Sequence, residues 1–287
     1  MNSRLKITKA SKAEFQTAIE WAAGEGWNPG LDDLAAFHAV DPEGFLMGWV
    51  DGKPVSSISV VRYGTDFGFL GFYIVHPYHR GTGVGIETWN AGMAHLEGRS
   101  IGLDGVVEQQ DNYRKSGFAF IGQNIRYSGI PQPIAETAGS TLVRRIMPED
   151  MAAIHALDDN CFGMKRSGFI ENWCRPLKSE HRISLVSIDG GQLSGFGTIR
   201  KCREGYKSGP LFCEDIDAAL ALFNGLIATV EPGSTLTLDV PEANSFAVQL
   251  AQSAGLKPVF KTARMVRGNA PHIDWNFVFG ITSFELG

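Results

Sequence analysis

The chain has 287 residues, a length that suggests about two domains. Apolar residues make up 44% and charged residues 20%, which excludes a disordered chain, and the longest apolar stretch without a charge or proline, Ala218 to Val230, is too short to cross about 30 Å of hydrocarbon, so no membrane partner is expected. The net charge of −5, from 26 basic and 31 acidic residues, gives no bulk attraction to nucleic acid, which favours clustered Lys and Arg.

In chain order, Leu5 to Thr8 predicts a strand. Ser11-Lys-Ala-Glu14 carries the S-x-x-E capping-box pattern, so a helix is expected from about Lys12 to Ala23, burying Phe15, Ile19 and Ala22 or Ala23. The loop Gly24 to Gly30 (GEGWNPG) is full of helix breakers, and Asp32 is placed to cap a second short helix through Ala39. Gly44 to Val50 and Pro54 to Tyr63 read as a hairpin turning at Asp51-Gly52. Phe67 to Val75 is a nearly continuously apolar strand, followed by a helix from about Gly83 to Leu96 and a strand from Ile101 to Val106. Tyr113 falls near the end of a short helix that Gly117 terminates. The segment Ser128 to Gly139, with Pro131 and Pro133, has the composition of a linker. After it the pattern restarts, with a strand at Leu142 to Ile146 and a helix at Pro148 to Leu157 that has proline in its first turn and acids after it.

The restart aligns with the first half at a nearly constant offset. Asp51-Gly52 with Asp189-Gly190, Arg62 with Arg200, Gly117 with Gly255 and Arg126 with Arg264 all lie 138 residues apart. Ile7 aligns with Val143 at 136, and Leu103-Asp104 with Leu238-Asp239 at 135. Six matches in one order, on the same element types, point to two copies of one αβ fold.

The segment with the most specific chemistry is Val75-His-Pro-Tyr-His-Arg80-Gly81-Thr82-Gly83-Val84-Gly85, which leaves a buried strand and opens a helix. A glycine turn there lets backbone N–H groups converge on an anion, and the helix N-terminus adds partial positive charge. Side chains at the glycines would block a pyrophosphate, and Arg80 adds charge-assisted donors. The Lys-Ser/Thr of a P-loop is missing, and the spacing is not the G-x-G-x-x-G of a dinucleotide site. The four cysteines form no C-x-x-C pair, so free thiols and a cytoplasmic setting are expected. The histidines show no ligand spacing, so no metal is expected.

These residues resemble the acetyl-CoA signature of the GCN5-related N-acetyltransferases (GNAT), [QR]-x-x-G-x-[GA], whose defined positions fall on Arg80, Gly83 and Gly85. Asn112-Tyr113-Arg-Lys-Ser-Gly117-Phe118 is similar to the Y-x-x-x-G-F element of that family, whose tyrosine lies near the CoA sulfur. The whole arrangement resembles tandem proteins that join a GNAT domain to a divergent C-terminal GNAT-like domain, sometimes called the YitH/HolE type. The resemblance implies an α/β (α+β) fold of two GNAT-like domains, each a mixed, mostly antiparallel sheet flanked by helices. The expected divisions are 1–130 for the acetyltransferase domain, 131–139 for the linker and 140–287 for the divergent domain. It also implies acetyl-CoA as co-substrate, bound by Ile74, Val75, His79, Arg80, Gly81, Thr82, Gly83, Val84, Gly85 and Asn112, and an N-acetyltransferase acting on a small-molecule amine by direct attack.

In that chemistry the backbone near Ile74 and Val75 donates to the developing oxyanion. Tyr113 is the expected general acid, because a phenol can protonate a departing thiolate. The strand from Phe67 to Val75 carries no carboxylate, so the base stays open. Asp104, an acid inside an apolar run, is open to three roles: base, ligand of the acceptor amine, or turn-fixing residue. Glu25, Trp27 and Asn28 form a candidate acceptor loop. The second copy lacks the phosphate turn, since the offset lands on 218–223, A-A-L-A-L-F, and Tyr113 matches Ala251. It is expected to wall the acceptor pocket, with Asp239, Cys161, Phe162, Arg166 and Asn244 as candidates to face it. A non-catalytic CoA-binding or regulatory module and acetylation of a protein partner are the competing readings. A monomer or homodimer is equally compatible with the sequence.

Overall fold

The computed structural model describes residues 4–135, 141–174 and 181–287. The first half runs β1 (Lys6–Lys9), α1 (Lys12–Gly24), α2 (Asp33–Val40), β2 (Phe45–Val50), β3 (Lys53–Tyr63), β4 (Phe67–Val75), α3 (Val84–His95), β5 (Ser100–Val106), α4 (Gln110–Lys115) and β6 (Ala119–Gly129). The second half repeats the pattern with β7 (Leu142–Arg145), α5 (Met151–Phe162), α6 (Ser167–Cys174), β8 (Arg182–Asp189), β9 (Gln192–Lys201), β10 (Tyr206–Cys213), α7 (Ile216–Ile227), β11 (Leu236–Pro241), α8 (Ser245–Ser253) and β12 (Lys257–Arg267), and then adds β13 (Val278–Gly280). Local signals explain several boundaries. The capping box of α1 is complete: the Glu14 N–H donates to Ser11 Oγ at 3.3 Å and the Ser11 N–H donates to Glu14 Oε2 at 2.8 Å. Asp32 precedes α2 but makes no side-chain cap bond to it. Residues 136–139 of the expected linker lie outside the described residues, and Ser128 and Gly129, whose composition places them with it, end β6 instead because they pair with β11.

The strands form one sheet in the order β1-β2-β3-β4-β5-β12-β6-β11-β10-β9-β8-β7, with β13 on β10. Each half therefore gives its last long strand to the other. β12 pairs with β5, matching Arg264 to Asp104, and β6 pairs with β11, matching Arg126 to Asp239. The four residues that aligned by repeat are thus two crossed pairs. The halves also share a core: Phe15, Phe37, Phe69 and Phe72 pack in one buried cluster with Phe162, Phe169 and Trp173. Phe37 stacks on Trp173 at 5.5 Å between ring centroids. Asp33 is buried between Arg182 and Arg200, 3.1 Å from each. Burial pushes its carboxyl up, but those two guanidinium groups and the Gly30 amide outweigh it and hold it below the usual range.

What positions the site is the point where parallel neighbours part. β4 pairs with β5 only over Phe67–Leu70 and Ser100–Leu103. Beyond Leu70, β4 bulges: Phe72 has φ 44° and the register to β3 shifts between Ser57 and Ser59. Ser57 Oγ donates to the Phe72 carbonyl at 2.8 Å, fixing the bulge. The second half parts in the same way, since β10 pairs with β11 only over Tyr206–Ser208 and Leu236–Leu238. There β13 fills the gap against β10, and the Ile281 N–H donates to the Asp239 carbonyl at 2.9 Å. The segment that continues from β13 then crosses to the first half. A side chain at Gly71 would overlap the Glu285 carbonyl, and one at Gly209, its repeat mate, would overlap the Ile281 carbonyl. The two glycines admit the same tail at the two openings.

The four cysteines are free and buried. No helix among the described residues is long and apolar enough to cross a membrane. No cluster of metal-ligating side chains occurs among the described residues.

Candidate active site

The opening between β4 and β5 leads into a cleft of about 830 Å³, large enough for an extended thioester and an acceptor. Its mouth is the glycine turn. After β4 a single 3-10 turn, Pro77–His79, precedes Arg80, whose Nε donates to the Val75 carbonyl at 3.0 Å. Thr82 Oγ1 donates to the His79 carbonyl at 2.7 Å. Gly81 and Gly83 have φ of 75° and 94°, a region open to glycine at no steric cost. Gly83 is the N-cap of α3 and offers no side chain to the first amides of that helix. A Cβ at Gly81 or Gly83 would meet nothing within 4 Å, so the space before those amides is free. This arrangement fits a pyrophosphate. The matching helix in the second half, α7, is closed off: Asp215 accepts from the Ala218 N–H at 2.8 Å, placing its own carboxylate where an anion would sit.

Tyr113 lines the cleft from α4. Its ring stacks on Trp89, with 5.9 Å between centroids, and lies directly over Gly105, where a Cβ would overlap it. Burial, helped by neighbouring Tyr73, pushes the Tyr113 phenol up to about 12. Tyr73 also lines the cleft, with its phenol raised by burial, and Gly85 makes room for it: a Cβ there would stand 2.9 Å from the Tyr73 hydroxyl. Gly105→Ala is therefore expected to displace the Tyr113 ring. Turnover should fall at least tenfold while CoA affinity, measured by calorimetry, stays within about twofold.

The sequence-predicted residues divide by position. Ile74, Val75, Arg80, Gly81, Gly85, Asn112, Tyr113, Asp104, Glu25 and Trp27 line the cleft. Thr82 and Gly83 are exposed at the turn, His79 is partly exposed beside them, and Val84 is buried. Arg80 Nη2 also donates to Glu25 Oε1 at 2.6 Å, so the turn and the candidate acceptor loop touch. Both side chains are about half exposed, and such a pair contributes about 0–1 kcal/mol. Asn28 does not line the cleft. It donates to the Glu204 carbonyl at 2.7 Å and accepts from the Glu204 N–H at 3.0 Å. Lys207 Nζ donates to the Trp27 carbonyl at 2.7 Å, so the second half clamps this loop.

Asp104 lines the cleft with both oxygens engaged. Arg264 Nε and Nη2 donate to it at 2.7 and 2.6 Å, and Asn124 Nδ2 at 2.8 Å. Burial pushes its carboxyl up against the pull of Arg264. Asp239 is not on the cleft wall. Arg126 holds it at 2.7 and 2.8 Å, and its carboxyl lies low because Arg126, Lys207 and Arg200 outweigh burial. Cys161, Phe162, Arg166 and Asn244 also lie off the cleft. Arg166 pairs with buried Asp158 at 2.8 Å and donates to the Gly287 carbonyl and Thr282 Oγ1, each at 2.8 Å. Asn244 Nδ2 donates to the Val278 carbonyl at 3.1 Å. Arg166 and Asn244 thus anchor the tail.

Sequence reasoning missed Tyr73, Trp89, Gly105, Phe260, Thr262, Phe284 and Glu285. Tyr73 was findable as the one phenol in an apolar strand. Phe260 and Thr262 reach the cleft only because β12 is exchanged, and Phe284 and Glu285 only because the tail crosses.

Known proteins agree with this layout. The family model described as "Acetyltransferase (GNAT) family" matches residues 12–118, and that described as "Acetyltransferase (GNAT) domain" matches residues 154–280. A holothin acyltransferase from Pseudoalteromonas sp. (strain SANK 73390) is 33% identical over 278 residues, covering 97% of this chain and 93% of the relative. Among solved structures, a putative acetyltransferase from Pyrococcus horikoshii superposes with a TM-score of 0.81 at 19% identity, covering 99% of this chain and 96% of the other. A tandem GNAT protein from the clavulanic acid biosynthesis pathway gives 0.65 at 13% identity, covering 93% and 100%. At those identities the two structures speak for the fold alone.

Proposed function

The chain belongs to the GNAT superfamily, as an acyltransferase built from two tandem GNAT domains, and from that premise we propose that its first half transfers the acetyl group of acetyl-CoA to the amine of a small molecule. The observation that carries this reading is the convergence of the open Arg80–Gly85 turn and the Tyr113 phenol on one cleft. The turn and the start of α3 hold the pyrophosphate, with Arg80, His79, Thr82 and Val84 around it and Asn112 nearer the thioester. The backbone of Ile74 and Val75, beyond the last β5 pairing, donates to the carbonyl oxygen as charge develops there. The neutral amine attacks the carbonyl carbon, the C–S bond breaks with its electron pair on sulfur, Tyr113 protonates the sulfur, and the proton shed by the acylated nitrogen restores the phenol. The second half walls the acceptor end and binds no CoA, because β13 and Asp215 occupy the corresponding places. The holothin acyltransferase supports acyl transfer as the reaction and makes holothin one acceptor to include in a screen.

The test is calorimetry of acetyl-CoA binding with wild type and Gly83→Trp. The indole would enter the free space before α3, and the left-handed φ adds about 1–2 kcal/mol of strain. Micromolar binding by the wild type, weakened at least 100-fold in a variant that still melts cooperatively, is expected. A folded wild type that binds no acetyl-CoA would overturn the proposal.

A further inference from the structure

Three carboxylates stand at or beside the inner end of the cleft. Asp104 and Asp239 are each gripped at both oxygens by a guanidinium. Glu285 is different. It lines the cleft and is only 7% exposed, yet its carboxylate makes no hydrogen bond or ion pair among the described residues. Its oxygens keep access to the solvent of the cleft, so they are free to receive a cationic ligand there by a charge-assisted hydrogen bond. The backbone that carries it is held on both sides. Its carbonyl packs on Gly71, where β4 leaves β5, and the next carbonyl, of Leu286, accepts from the Tyr63 hydroxyl at 2.9 Å. Glu285 raises the basicity of Arg126 and Arg200 and supports that of Lys207 without bonding to any of them. With Glu285 neutralised, those cations would repel a positively charged acceptor. The walls of the same space are aromatic: Trp27, Phe72, Phe260 and Phe284. A carboxylate free of hydrogen bonds on the wall of an aromatic-lined cleft complements a cation on a flat apolar body.

We infer that Glu285 is the group that receives the acceptor's ammonium and takes its proton, and that the acceptor is a compact, basic alkyl amine carrying an aromatic body. This rests on the acyl-transfer reading above. The ammonium gives one proton to the Glu285 carboxylate, and the freed nitrogen lone pair forms the N–C bond at the thioester carbonyl. The C–S bond breaks with its electron pair on sulfur, and the Tyr113 hydroxyl protonates that sulfur. As it does so, Tyr113 takes the surplus proton of the nitrogen, and Glu285 releases its own to solvent. The products are amide, CoA thiol and one proton.

The test uses 2-phenylethylammonium as the probe, titrated into full-length protein saturated with CoA. Wild type is expected to bind it at least 30-fold more tightly than 2-phenylethanol, which has the same body without the charge. Glu285→Gln should remove that preference and leave CoA affinity unchanged, and Glu285→Asp should restore part of it. In turnover with acetyl-CoA, Glu285→Gln should lose at least 100-fold with 2-phenylethylamine and under tenfold with aniline, which is already neutral at pH 7. Equal binding of the charged and uncharged probes by wild type overturns the inference without relying on any variant. So does an unchanged charge preference in Glu285→Gln. Loss of stability alone in that variant would make Glu285 a counter-charge to the buried cations and also overturn it. Failure of acetyl-CoA to bind wild type would strike the acyl-transfer reading instead.

Discussion

Replacing Tyr113 by Phe is expected to lower kcat about 10²–10⁴-fold and leave acetyl-CoA affinity unchanged. The substitution keeps the ring that stacks on Trp89 and covers Gly105, and removes only the hydroxyl. Burial raises the phenol to about 12, above the free value of about 10. The acid form is therefore the populated one throughout the neutral range and well into alkali. Ionisation of Tyr113 should cause no loss of kcat below about pH 10, and a loss from this group belongs above that. The same burial makes the phenolate costly, so in the proposed mechanism Tyr113 passes its proton to sulfur as it regains one from the attacking nitrogen. A pH profile of kcat for wild type beside Tyr113→Phe reads this directly. Equal kcat values would assign protonation of the thiolate to another group.

Arg264→Ala should cost about 3–5 kcal/mol in urea unfolding, the usual range when one partner of a buried ion pair is removed. Asp104, buried and bound at both oxygens, would keep only Asn124 as a donor. The pair also joins β5 of the first half to β12 of the second, so its loss loosens the exchanged strand. Burial already pushes the Asp104 carboxyl up, and without Arg264 it rises further. A raised carboxyl disfavours folding where it is ionised and ceases to do so once protonated, so the deficit should shrink as pH falls through its folded value. Asp104→Leu with Arg264→Met should recover most of the stability, because an apolar pair of similar volume avoids desolvating charge. If Asp104→Asn abolished turnover at unchanged stability, Asp104 would be the base and Glu285 would not.

Much of the fold was legible because it depends on near neighbours in the chain. The α1 cap needs only Ser11 and Glu14, three residues apart. The turn before α3 needs glycines at Gly81 and Gly83, where φ is positive. The helix that carries Tyr113 ends at Gly117, φ 86°, as its spacing predicts. Asn28 shows the opposite case: nothing in GEGWNPG indicates that its amide would be spent on Glu204, 176 residues away.

The sequence by itself determined the two repeats, the glycine turn before the helix in the first and its absence from the second, and the equivalence of Arg126 with Arg264 and of Asp104 with Asp239. It could do so because hydrophobic period, capping and glycine conformations act within a few residues. Only the tertiary structure decided how those equivalents pair. Arg264 lies 160 residues from Asp104, and Arg126 lies 113 from Asp239. Strand exchange joins each arginine to the aspartate of the other repeat, because a strand takes its place from edge hydrogen bonds and shared burial rather than from chain proximity. The same holds for the tail. Tyr63 meets the Leu286 carbonyl across 223 residues, and a single packed path fills one opening with β13 and sets Glu285 in the other.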